Sequence, residues 1–387
     1  MKRLGIVFFI IFVFSLYGGA NYYVGKKIYQ GLSYFSRNIN VKIYTIVFAL
    51  IALSVFIATL PMPLETKRII SWVSYHWMGV FVYLLLFFLL SDLVLFLGKL
   101  LKIITAPTPE NIAFYRSIAV ILLTAGVVGY GIYNAGQIKH TSYNIQIEKT
   151  SFEGEFKIVL ISDLHLGSIK SEKLLHDIVH GINSLKPDIV CIAGDIFNDN
   201  YNLIRNPERA EEFLRSIEAT YGVYAVLGNH DAGKTLDKMM EFLEKSNVKL
   251  LNDEYVVIDD RMVLVGRLDP SPIGGYGGLK RKSNISDILA SVDTNMPVTN
   301  MPVIVIDHTP SNIQQYGREI DLVLSGHTHK GQLFPFNFIT NAIFTVDYGH
   351  YQEDASSPHF IVTSGVSTWG PPMRVGTNNE IVSILLH

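Results

Sequence analysis

Four apolar stretches, each long enough to cross the roughly 30 Å of hydrocarbon in a bilayer as a helix, constrain the start of this chain more than anything else in it. They run at about residues 4–24, 44–60, 72–97 and 117–135. Lipid offers the backbone no hydrogen-bond partner, so stretches of this kind satisfy their own N–H and C=O groups as helices. Short connections separate them, marked by Pro61-Met62-Pro63 and Pro107-Thr108-Pro109. The first stretch also reads as a signal peptide, with Lys2 and Arg3 as its basic region and Gly18-Gly19-Ala20 as a weak cleavage site. Three further stretches follow it, and the expectation is an all-α transmembrane bundle of four helices.

Charge divides the chain at the same place. Residues 1–136 hold 11 Lys and Arg against 3 Asp and Glu, a net of +8; residues 137–387 hold 21 against 31, a net of −10. A basic, apolar half suits a bilayer with anionic lipids. An acidic half suits a soluble domain and argues against non-specific nucleic-acid binding. The expected domains are therefore 1–136 and 137–387.

The connections after the first and third stretches carry Lys26, Lys27, Arg37, Lys42, Lys99, Lys102 and Arg116. The N-terminus and the connection after the second carry Lys2, Arg3, Lys67 and Arg68. Basic connections stay in the cytoplasm, so the balance expects a multi-pass protein of the cell membrane with its acidic domain outside the cytoplasm. Lys139 and Lys149, and the N-terminal Met-Lys-Arg, pull the other way. Two ionisable residues, His76 and Asp92, fall within the third stretch. Asp92, with Lys99 two turns on, reads as a helix-paired or snorkelling carboxylate.

From about residue 141 the pattern changes. Short runs rich in Val and Ile mark strands at 157–162, 188–193, 223–227, 255–258, 262–265, 303–306, 322–324, 359–363 and 381–386. Amphipathic segments mark helices at 171–184, 208–219, 235–245, 286–291 and 311–316, with Ser171 and Ser311 as N-caps. The single cysteine, Cys191, lies in one of the strands and reads as a buried core residue. This alternation implies an α/β domain of four layers, two packed sheets flanked by helices, with its ligand site at the carboxyl ends of the strands.

Those ends carry the chemistry. Asp163 and His165 follow the first run, Gly194-Asp195 the second and Gly228-Asn229-His230-Asp231 the third. His308 follows the run at 303–306, and Gly326-His327-Thr328-His329 the run at 322–324. In extended backbone, residues two apart point the same way, so Asp163 with His165, and His327 with His329, are each expected to converge. Carboxylates mixed with imidazoles suit Zn, Fe or Mn better than Mg or Ca. Seven such ligands exceed one four-coordinate site but fit two sites that share a carboxylate. Taken singly, each residue has an ordinary structural explanation; as an ordered set at five strand ends they do not.

Together these motifs resemble the calcineurin-like metallophosphoesterase superfamily, whose order is Asp-x-His, Gly-Asp, Gly-Asn-His-Asp/Glu, a lone His and Gly-His-x-His. The resemblance implies one metal held by Asp163, His165, Asp195 and His329, and a second held by Asp195 as bridge, Asn229, His308 and His327. It implies that His230 contacts the phosphate and protonates or stabilises the leaving oxygen, with Asp231 orienting it. The tail, Thr363-Ser364-Gly365-Val366-Ser367, Pro371-Pro372-Met373-Arg374 and Glu380-Ile381, resembles a bacterial membrane-anchored subgroup. That subgroup's usual Pro before Glu-Ile is Asn379 here, a departure expected to touch only a loop. Arg374 is open to two readings, a ligand for substrate phosphate or a surface or ion-paired residue.

The function this implies is a membrane-anchored, dinuclear-metal phosphoesterase acting on a phosphomonoester or phosphodiester. Its partners would be the bilayer and a phosphorylated substrate, and proximity makes a lipid or lipid-linked headgroup a candidate. The alternative is a membrane sensor or transporter with a regulatory domain, which predicts a decayed ligand set; none of the seven ligands is missing.

Overall fold

The computed structural model describes residues 2–36, 38–104, 110–149, 152, 154–167, 169, 172–279, 281, 284–290 and 301–387. Arg37, the Pro107-Thr108-Pro109 connection, Ser171 and Ser291 lie outside them. The chain divides into two compact units: Met1–Ile132 with Gly370–Pro372, and Tyr133–Trp369 with Met373–His387.

The first unit is helical: α1 (Lys2–Phe35), α2 (Val41–Ile57), α3 (Leu64–Leu100) and α4 (Glu110–Ala135), whose last residues belong to the second unit. Asn40 caps α2, its side chain accepting from the Lys42 and Ile43 N–H groups at 2.9 and 3.3 Å. Among the described residues two helices are long and apolar enough to cross a membrane: Leu64–Leu100, with an 18-residue window of mean hydropathy 2.7, and Asn111–Ala135, with one of 1.9. α2 is apolar but shorter. Asp92 is paired across helices rather than with Lys99. Its Oδ1 accepts from Lys27 Nζ at 2.8 Å and from Arg116, and its Oδ2 from the Tyr23 hydroxyl at 2.6 Å. His76 is half-buried, its Nδ1 2.8 Å from the Trp72 carbonyl.

The second unit runs β1 (Ile138–Ile145), β2 (Phe156–Ile161), α5 (Glu172–Leu185), β3 (Ile189–Ala193), α6 (Pro207–Arg215), β4 (Val223–Val226), α7 (Leu236–Lys245), β5 (Val248–Leu250), β6 (Glu254–Ile258) and β7 (Met262–Gly266). It continues with α8 (Ile285–Leu289), β8 (Val303–Ile306), β9 (Leu322–Ser325), α9 (Asn337–Ile343), β10 (Gly349–Tyr351), β11 (His359–Val362) and β12 (Asn379–Leu386). Two six-stranded sheets result, β1-β12-β2-β3-β4-β5 and β10-β11-β9-β8-β7-β6.

The strands read as nearly continuous apolar runs because both faces are covered. Ile158 and Leu160 of β2, Leu264 of β7 and Ile304 of β8 meet between the sheets. Their neighbours Val159 and Ile161 face α5 and α7, while Val263, Val265 and Val305 face α8 on the far side. This period of two sorts each strand between adjacent layers, and Cys191 falls in the layer between the sheets, fully buried. The expected helix at 311–316 is only a short turn of 3₁₀ helix, Ile313–Gln315.

β2, β3, β4 and β5 pair in parallel in one sheet, and β7, β8, β9 and β11 in the other. The loops that leave β2, β3, β4, β8, β9 and β11 therefore carry the residues singled out from the sequence.

Candidate metal centre

Two groups of ligand atoms form where these loops meet. Asp163, His165 and His329 make one and Asp195, His308 and His327 the other, the ligand atoms of each lying within 4.8 Å of one another. Asp195 Oδ2 stands between them, 3.7 Å from His165 Nε2 and 3.3 Å from His308 Nε2. Asn229 joins the second group: its Oδ1 is 2.9 Å from His327 Nδ1 and 3.2 Å from His308 Nε2. All seven residues named as ligands from the sequence are brought together.

The backbone that delivers them is unusual. Asp163, His165, Asp195, His327 and His329 have φ of 59, 47, 51, 70 and 49°. A non-glycine residue in the left-handed region costs roughly 1–2 kcal/mol, a strain tolerated where a site over-determines it. It also defeats the extended-chain alternation. Asp163 and His165 share a group, but His327 and His329 divide between the two because neither is extended. Two glycines permit the approach. A Cβ on Gly326 would meet Ser162 Oγ and come within 2.6 Å of Asp163 Oδ2, and one on Gly228 would collide with the Asp195 carboxylate.

The residues fit divalent cations on their own chemistry. Asp163 Oδ1 is buried with no hydrogen-bond donor, a costly state for a carboxylate oxygen. His165 Nε2 and His329 Nε2 face each other at 3.1 Å, where at most one hydrogen fits between two lone pairs. Burial pushes the Asp163 carboxyl up to about 6. Burial also works against the Asp195 charge, yet the adjacent His308 imidazole holds that carboxyl well below the usual range. Burial, then the charge of His308, brings His327 down to about 4, so its ring is neutral at neutral pH and keeps one nitrogen lone pair. His308 is oriented from behind, its Nδ1 donating to the Ala193 carbonyl at 2.7 Å.

His230 lies beside this centre, its ring 5.3 Å from that of His165. Its backbone N–H donates to Asp195 Oδ1 at 2.9 Å. The expected orienting role of Asp231 is not what the geometry provides. The Asp231 carboxylate instead accepts from the N–H groups of Ile196, Phe197 and Gly228 at 3.1, 2.7 and 2.9 Å. Burial, then the charge of Asp195, pushes it up to about 7. Asp231 thus ties the two loops together, and the carboxylate on His230 Nδ1, at 2.7 Å, belongs to Asp199. Burial disfavours a charged His230, but the bond to Asp199 raises its proton affinity above the ordinary histidine value. Asp199 follows Asp195 by four residues in Gly194-Asp195-Ile196-Phe197-Asn198-Asp199, the one sequence signal that could have marked it.

Arg374 is neither of the two things expected of it. It is fully buried, and burial depresses its guanidinium to about 10. Its Nη1 donates to the His329 carbonyl at 3.1 Å, its Nη2 lies 3.2 Å from His329 Nδ1, and its Nε donates to Asn379 Oδ1 at 2.7 Å. Arginine offers donors only, so the ring of His329 is held with Nε2 toward Asp163, 3.3 Å away. Asn379, in turn, opens β12 rather than sitting in a loop, and its Nδ2 donates to the Ala135 carbonyl at 2.6 Å.

Residues 156–331 match the family model described as calcineurin-like phosphoesterase. The chain is 27% identical over 394 residues to an uncharacterised metallophosphoesterase of Campylobacter jejuni, covering 98% of each protein. It is 33% identical over 245 residues to an uncharacterised metallophosphoesterase of Aquifex aeolicus, covering 63% of this chain and 90% of the relative. A protein of Danio rerio called a transmembrane protein with metallophosphoesterase domain is 31% identical over 336 residues, 82% of this chain and 74% of that one.

Proposed function

The chain belongs to the calcineurin-like phosphoesterase family, and from that premise we propose that it is a membrane-anchored hydrolase of phosphoesters working with two divalent cations. The observation that carries this is the meeting of two ligand groups at Asp195 Oδ2. Asp163, His165 and His329 would hold one cation, and Asn229, His308 and His327 the other, with Asp195 shared. The mixed carboxylate and imidazole set suits Mn, Fe or Zn. Cations so held supply positive charge to a phosphoryl group and lower the pKa of attacking water.

The protein's own groups do the rest. Asp199 accepts a hydrogen bond from His230 Nδ1–H and keeps the ring protonated to higher pH, leaving Nε2–H to give a proton to the leaving oxygen. Asp195 accepts the His230 N–H, so the shared ligand and the proton donor move as one frame. Asp231 locks the loops after β3 and β4 to each other.

The proposed substrate is a phosphomonoester or phosphodiester on a lipid or lipid-linked headgroup. Support comes from α3 and α4 in the same chain and from the Danio rerio relative's description as a transmembrane protein. The excess of basic residues after the first and third apolar stretches supports a domain outside the cytoplasm.

Purified full-length protein, stripped of metal and reloaded with Mn, should hydrolyse bis(4-nitrophenyl) phosphate and retain two cations per chain by elemental analysis. Absence of both metal uptake and turnover would sink the reading. A reporter active only outside the cytoplasm, fused after His387, should give signal; signal from a cytoplasm-only reporter instead reverses the orientation.

A further inference from the structure

Phe334, Phe336, Phe338, Ile339, Ile343 and Trp369 form a run of large apolar side chains left in the open, 39 to 69% exposed. Elsewhere in the α/β unit, among the described residues, the comparable list is only Tyr133, Ile273 and Leu279. α9 buries none of its side chains, although Phe338, Ile339 and Ile343 would ordinarily be drawn into a core. Residues 331–346 carry no charged side chain, in a domain whose net charge is −10.

The hydrogen bonds say where this segment lies. Asn134, in the last turn of α4, donates to the carbonyls of Arg374 and Thr377 at 3.1 and 2.8 Å. Val375, in the same loop, pairs with the segment: Phe334 N–H donates to its carbonyl at 2.8 Å, and its own N–H to the Gln332 carbonyl at 3.1 Å. Gln332 exchanges two 2.8 Å bonds with the backbone of Trp369. The end of a helix apolar enough to cross a membrane is thus fastened to the strip that carries the exposed side chains. The same strip borders the metal centre. It begins at His329, and the Trp369 ring lies 5.7 Å from that of His230.

We infer that residues 334–343, with Trp369, are a bilayer-contacting edge that seats the metal centre at the headgroup level and admits a phosphoester whose other end stays in the lipid. The occupant is the phospholipid surface. Aromatic and aliphatic side chains without charge, beside a helix exit, match the interfacial zone. The substrate part of this inference rests on the phosphoesterase reading; the contact with lipid does not.

The test uses the full chain in nanodiscs of phosphatidylcholine with phosphatidylglycerol and phosphatidic acid. Cys191 is buried, so a nitroxide can be placed at Phe338→Cys and, as a control, at Glu254→Cys, the exposed first position of β6. The label at 338 should collide more with oxygen and less with an aqueous nickel chelate than the label at 254. Equal access to the chelate overturns the edge. So does shielding from both reagents, the sign of a protein partner or a second copy.

A second arm reads activity. The triple variant Phe338→Ser, Ile339→Ser, Ile343→Ser should keep hydrolysis of bis(4-nitrophenyl) phosphate within about twofold, as surface changes do. It should lose at least about tenfold on the two anionic phospholipids, as lost apolar burial predicts. Equal losses on both substrates, or a parent protein that cleaves the soluble ester but neither lipid, overturns the substrate assignment. Failure to cleave any ester sinks the phosphoesterase reading and leaves the label measurement to decide the edge.

Discussion

Two carboxylates, one in each unit, are partnered in opposite ways. Asp92 in the helical unit meets two cations and a hydroxyl, from Lys27, Arg116 and Tyr23, and both its oxygens are satisfied. Asp163 in the α/β unit has an oxygen buried without a donor and two imidazole nitrogens within 3.8 Å. A satisfied carboxylate joins helices; an unsatisfied one among lone pairs is organised for something the protein does not itself supply. The residue type alone does not separate structural from functional burial, and the state of its partners does.

The sharpest way to break this contrast is at the shared ligand. Asp195→Asn should take turnover to background and reduce bound metal in both groups, because one charge serves two cations; two retained cations with normal turnover would remove the bridge. His230→Ala comes next, with a loss of roughly 100- to 10,000-fold in turnover and both cations kept. Loss of metal in that variant would make His230 a ligand. Arg374→Ala should weaken one cation by about 10- to 100-fold, the usual cost of losing an orienting partner, and Arg374→Lys should recover part of it. Unchanged metal affinity in direct titration would reduce Arg374 to a residue of the loop fold alone. The smallest effect is expected at Asp92→Asn: on the order of 1 kcal/mol of stability, because the side chain is 35% exposed and its pairs are screened. Turnover of the folded protein should not change, and a large loss of activity would put Asp92 on the functional side of the comparison.

The ligands were legible because each follows a run of buried strand, where polar side chains have no packing reason to be. What the pattern missed has equally local causes. β1 buries only its last residue, Ile145, along Ile-Lys-His-Thr-Ser-Tyr-Asn-Ile, so it carries little apolar signal and is defined by its pairing with β12. β5 and β10 are three residues each, too short for a period to register. α9 buries nothing, so its amphipathic logic is directed at a surface the sequence does not display. Adjacency in sequence favours Asp231 as the partner of His230 over Asp199, whereas the Asp231 carboxylate is taken up by three backbone donors. The facing directions of His327 and His329 could not be read either, since the alternation rule assumes extended backbone and both residues are left-handed.

The position of β12 bears on the order of events during synthesis. β12 lies between β1 and β2, with Ile138 opposite Asn379 and Phe156 opposite Leu386. The first sheet therefore cannot close until residue 386 has left the ribosome, and at about 5–20 residues per second that is tens of seconds after β1 emerges. Helices α1 to α4 are synthesised well before then, and α1, α3 and α4 share a packed cluster of their own. For that interval the rest of the chain is an unclosed polypeptide, which a protein-conducting channel can thread in a way it could not thread a finished sheet.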